Sequence, residues 1–86
     1  MKAKCRSQSG MKVELTVLDI SPIGCMVDRV AWSAQPDDRI LIQLEGLSFQ
    51  PARVSWVEDD RVGIELEQLL HETVLERLKE SLARAG

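Results

Sequence analysis

Eighty-six residues with a formal net charge of −3 make one domain with room for a single small core. Apolar residues make up 44% of the chain, which suits an ordinary globular domain, and no long polar low-complexity run argues for disorder. One Phe, two Trp and no Tyr on an acidic chain argue against general nucleic-acid binding, to DNA or RNA, since a single-strand binder stacks bases on several rings along a basic groove.

Residues 1–10 open the chain with Lys2, Lys4 and Arg6, followed by Ser7, Gln8, Ser9 and Gly10. They read as a flexible basic arm. No apolar segment of the secretory kind follows the basic start, and no run has the length of a membrane span. The expectation is a cytoplasmic protein without membrane insertion. In that setting Cys5 and Cys25 are reduced thiols, with a disulfide as the alternative. Neither has a second Cys or a His nearby in sequence, so no metal site is expected.

Residues 11–19 alternate, with Val13, Leu15 and Val17 on one side and Lys12, Glu14 and Thr16 on the other, the pattern of a half-buried strand. Ser21-Pro22-Ile23-Gly24 is a tight turn: Ser suits its first position, Pro its second and Gly its fourth. It brings the Asp19 carboxylate and the Ser21 hydroxyl close together. Residues 25–30 form a second strand, antiparallel to the first. The connection 31–38 contains Trp32, expected to plug the core, and the turn signal Pro36-Asp37-Asp38.

Residues 39–44 alternate again, with Ile40, Ile42 and Leu44 inward. From Phe49 the pattern continues through Ala52, Val54 and Trp56, also assigned inward. Pro51, unable to donate a ladder hydrogen bond, belongs at an edge or bulge. Glu58-Asp59-Asp60 is an acidic hairpin tip. Residues 61–67 form the last strand, with Val62, Ile64 and Leu66 inward and Gly63 outward, leaving space for something large over it.

The period then changes. Leu70, Val74, Leu75, Leu78 and Leu82 share one helical face, so residues 69–85 are predicted as a helix. Its apolar stripe must be buried over a mouth of the sheet or in a homodimer. His71, at the helix start, has a surface or capping role. Short connections require antiparallel order, and this many strands in so few residues curl into a barrel. The fold class is therefore mainly β: a small antiparallel barrel of about five or six strands (11–68) with one C-terminal α-helix. No catalytic constellation is present, so the chain reads as a non-enzyme.

The order of these elements resembles the PilZ domain family over nearly the whole chain. Asp19, Ser21 and Gly24 match that family's Asp/Asn-x-Ser-x-x-Gly element, and Val54-Ser55-Trp56-Val57 and Val62-Gly63-Ile64-Glu65 look like the strands that follow it. The resemblance implies a six-stranded barrel and a receptor for the bacterial second messenger cyclic di-GMP, with no other cofactor. In the family an Arg-x-x-x-Arg arm ahead of the barrel joins the turn around the ligand. The matching positions here are Lys2, standing where the first arginine would be, and Arg6. The implied binding set is thus Lys2, Arg6, Asp19, Ser21 and Gly24, with signalling passed to a protein partner. A PilZ-fold adaptor acting through protein contacts without the nucleotide is the alternative.

Overall fold

The computed structural model describes residues 1–8, 10–29 and 32–85. Six strands come in the order β1 (Lys2–Ser7), β2 (Lys12–Ser21), β3 (Gly24–Asp28), β4 (Arg39–Gln43), β5 (Gln50–Val57) and β6 (Arg61–Leu66), followed by α1 (Glu72–Ala85). They close into an antiparallel barrel with neighbours β1-β2-β3-β6-β5-β4, and β4 returns to β1. Closure leaves no edge strand open to aggregation. No helix among the described residues is long and apolar enough to cross a membrane.

The first strand corrects the reading of residues 1–10 as a flexible arm. Lys2–Ser7 pairs with β2 on one side and β4 on the other. Ala3 and Cys5 are buried in the core, while Lys2, Lys4 and Arg6 face outward. Lys-Ala-Lys-Cys-Arg is a period-two pattern whose inward members are small, and small residues give a faint hydropathy signal. Gly10, at φ 88°, completes the turn into β2, where the Ser7 N–H donates to the Met11 carbonyl at 2.9 Å.

The core is a single cluster filled by Leu15, Val17, Val27, Ile42, Leu44, Val54 and Val62 from the strands, with Trp32 from the β3–β4 connection. Trp32 is 4% exposed, as expected of a plug. The expectations for Val30, Ala31 and Gly86 fall outside the described residues. Pro51 sits near the start of β5, one residue before pairing with β6 begins at Ala52. The acidic tip closes as a hairpin, with the Glu58 N–H donating to the Arg61 carbonyl at 2.9 Å.

The helix begins at Glu72 rather than residue 69. His71 is its cap: Nδ1 accepts from the Thr73 N–H at 3.2 Å, and the His71 carbonyl accepts from Leu75 at 2.9 Å. Leu75 and Leu78 join the barrel core, with Val74 and Leu82 partly buried beside them. The apolar stripe is thus buried within the chain itself, on the β2 side of the barrel.

Candidate functional site

The groove that matters lies on the outer wall of β2, β3, β6 and β5. It holds about 270 Å³ and is lined by Asp19, Ser21, Met26, Trp56, Gly63 and Glu65, among others. Strict alternation would not build it. With Val13, Leu15 and Val17 facing in, a regular strand would send Asp19 and Ser21 into the core as well. The ladder instead pairs Val17 with Val27 and Asp19 with Met26, so Leu18 is an extra residue. This bulge reverses the phase of β2: Ile20 is buried, 5% exposed, and Asp19 and Ser21 turn outward.

A second bulge does the same on β5. Val54 pairs with Ile64 and Trp56 with Gly63, leaving Ser55 as the extra residue. Trp56, expected inward, is 37% exposed and stands on the outer wall. Its indole occupies the space over Gly63, where a Cβ would collide with Nε1 and Cε2. The room left by Gly63 is filled, and the occupant is the protein's own tryptophan.

At the turn, Ser21 pairs with Gly24 across a two-residue loop of Pro22 and Ile23. The Ser21 hydroxyl donates to the Gly24 carbonyl at 3.4 Å, and Asp19 Oδ1 accepts from the Ile20 N–H at 2.9 Å. Each side chain uses one bond locally and keeps acceptor capacity toward the groove. Gly24 is needed for a reason internal to the barrel: a Cβ there would strike the Ile64 carbonyl of β6. The close approach is to a neighbouring strand.

Lys2 and Arg6 do not join this groove. Lys2 lies opposite Thr16 and donates from Nζ to its hydroxyl at 2.8 Å. Arg6 lies opposite Lys12, seven residues from Asp19, which at ~3.3 Å per residue is roughly 20 Å away. Its guanidinium sits 5.7 Å from the centre of the Phe49 ring. An arm clasping a ligand against Asp19 is therefore not what residues 2–6 form, because they are a strand held on both sides by ladders. The interval from Arg6 to Asp19 holds one strand because residues 2–7 are themselves the strand before it.

The groove's own lining carries two carboxylates, Asp19 and Glu65, and no cation. Arg53 stands at the rim: Nη2 pairs with Glu65 at 3.0 Å, and Nη1 is 3.7 Å from Asp37. The turn is also tied to the helix entrance. Leu66 N–H donates to the Ile23 carbonyl at 2.8 Å and Leu70 N–H to the Pro22 carbonyl at 2.9 Å. Beside these bonds Ile23 and Leu69 are 55% and 72% exposed. The sequence does not mark Trp56 or Arg53 as site residues; the outward Gly63 opposite an aromatic strand is the available signal.

Cys5 and Cys25 are free and buried. Burial pushes the Cys5 thiol up to about 11. Burial, reinforced by the nearby Cys5, pushes Cys25 up to about 12. Both are structural thiols with negligible thiolate near neutral pH. No model of a known protein family matches the chain, and no curated protein matches it.

Proposed function

We propose that this protein is a PilZ-like binding module whose outer groove receives a guanine of cyclic di-GMP and relays that event to a protein partner. The carrying observation is that two bulges bring Asp19, Ser21 and Trp56 to one open groove. A carboxylate accepts the paired N–H donors on a guanine edge, an indole offers a stacking face, and a hydroxyl can serve base or phosphate. The groove is near the lower limit of small-molecule sites, roughly 300 Å³, so it suits one base with the phosphates at its rim. Arg53 is the cation placed there, released toward phosphate as its pairing with Glu65 loosens. Ligand at the turn bears directly on Pro22 and Ile23, whose carbonyls hold the chain leading into α1. The exposed Ile23 and Leu69 then form the surface a partner would sense.

A second reading is an adaptor that works through the same apolar surface without nucleotide. It is favoured by the absence of any cation from the groove lining and by the distance of Arg6. Calorimetry with cyclic di-GMP on the full chain separates the two. Saturable heat in the micromolar range that Asp19→Ala and Trp56→Ala remove supports the receptor. No heat at high ligand concentration, with a partner still retained through Ile23, leaves the adaptor.

A further inference from the structure

We propose that the outer face of β1 is a separate binding site for a small phosphate-bearing anion, built by Lys4, Arg6 and Lys12 beside Phe49. These cations line one groove of about 420 Å³ together with Gln43 and Phe49, on the wall remote from Asp19. Their arrangement is unfavourable for the barrel alone. Arg6 and Lys12 are direct cross-strand partners, and like charges placed opposite one another on a sheet repel. Lys4 projects from the same face two residues from Arg6. None of the three makes an ion pair with another described residue, although the chain as a whole is acidic.

Arg6 supplies the geometry. Its guanidinium lies over the half-buried Phe49 ring, 5.7 Å from the ring centre, a cation–π contact that keeps the charged head against this wall. Its N–H donors make no hydrogen bond to a described residue, so a planar set of donors stands ready for phosphate oxygens, flanked by two ammonium groups. A phosphate between Arg6 and Lys12 would turn their repulsion into two attractions. Glu14, on the same groove and opposite Lys4, limits the positive charge to a compact spot. A confined cationic groove with a carboxylate on its wall fits a small anion better than an extended polyanion such as nucleic acid or a membrane surface.

The test is a low-salt NMR titration of the full chain with inorganic pyrophosphate, following the Arg6 side-chain Nε–H and the amides of residues 2–14. The expected result is a saturable shift confined to β1, the start of β2 and Phe49. Arg6→Ala should weaken it at least tenfold, Arg6→Lys severalfold, and Asp19→Ala not at all. Lys12→Ala should weaken binding while raising the melting temperature, since it relieves the repulsion. Shifts that never saturate, that spread over every surface lysine, or that survive Arg6→Ala overturn the proposal. So does binding to phosphatidylserine vesicles with no saturable response to pyrophosphate.

Discussion

Trp56 packs on Gly63, its cross-strand partner, so closely that any side chain at Gly63 would displace the indole. The collision is with the end of a movable side chain, so Gly63→Ala should cost only about 1–2 kcal/mol, as overpacking usually does. Trp56 swings outward in that variant. Because Trp32 is buried and Trp56 half-exposed, the expected signature is a red-shifted, more quenchable part of the tryptophan emission, assigned to Trp56 by comparison with Trp56→Phe. Emission identical to the parent protein would contradict the packing.

Gly24→Ala differs in kind. The obstacle is the Ile64 carbonyl, part of the β3–β6 ladder, and backbone cannot rotate away. The barrel should lose about 1–3 kcal/mol or more. At about 4–8 °C per kcal/mol for a domain of this size, the melting temperature falls visibly. The loss appears without any ligand, which separates a structural glycine from one that admits a nucleotide.

How much of this could be read from the chain divides at the two bulges. The strands between 11 and 67, the hairpin tip at 58–60 and the helix follow from alternation, turn residues and a change of period. They lie close to where those signals put them, with the second strand ending at Asp28 and the helix starting at Glu72 rather than residue 69. Lys2–Ser7 escaped because its inward residues, Ala3 and Cys5, are small. Leu18 and Ser55 carry no mark that they are extra residues. A bulge depends on what the partner strand can accommodate, so strict period-two alternation alone would send both Trp56 and Asp19 inward. The site is legible as a motif in Asp19, Ser21 and Gly24; its aromatic wall and the separation of Arg6 are consequences of register.

That separation yields a direct comparison. If cyclic di-GMP binds at the Asp19 groove, Lys2→Ala and Arg6→Ala leave its affinity within about twofold. Asp19→Ala lowers it about tenfold or more, since losing even one of the charge-assisted hydrogen bonds to the guanine edge costs ~1.5–3 kcal/mol. Lys2→Ala also removes the exposed bond to Thr16, which should change stability by less than about 0.5 kcal/mol. An affinity that collapses in Arg6→Ala while Asp19→Ala binds normally would move the nucleotide to the β1 face.

The buried thiols give the barrel an alkaline weakness. Cys5 and Cys25 titrate near 9.0 when exposed, but at about 11 and about 12 in the folded chain. Below pH 9 both thiols are protonated in either state, and their contribution to stability is fully present. As pH rises past 9 the unfolded chain ionises first, so stability falls by up to about 1.4 kcal/mol per pH unit for each thiol. The fall for Cys5 ends near its folded value of about 11, and for Cys25 near about 12. Denaturant unfolding of the parent chain and of a Cys5→Ala/Cys25→Ala double variant between pH 8 and 11 isolates this slope from that of other groups. The variant starts less stable because two packed sulfurs are gone, yet its curve should be flatter above pH 9, so the two lines converge. Parallel lines would mean that the thiols are reached by water in the folded barrel, a result that a rapid reaction with iodoacetamide under native conditions would corroborate.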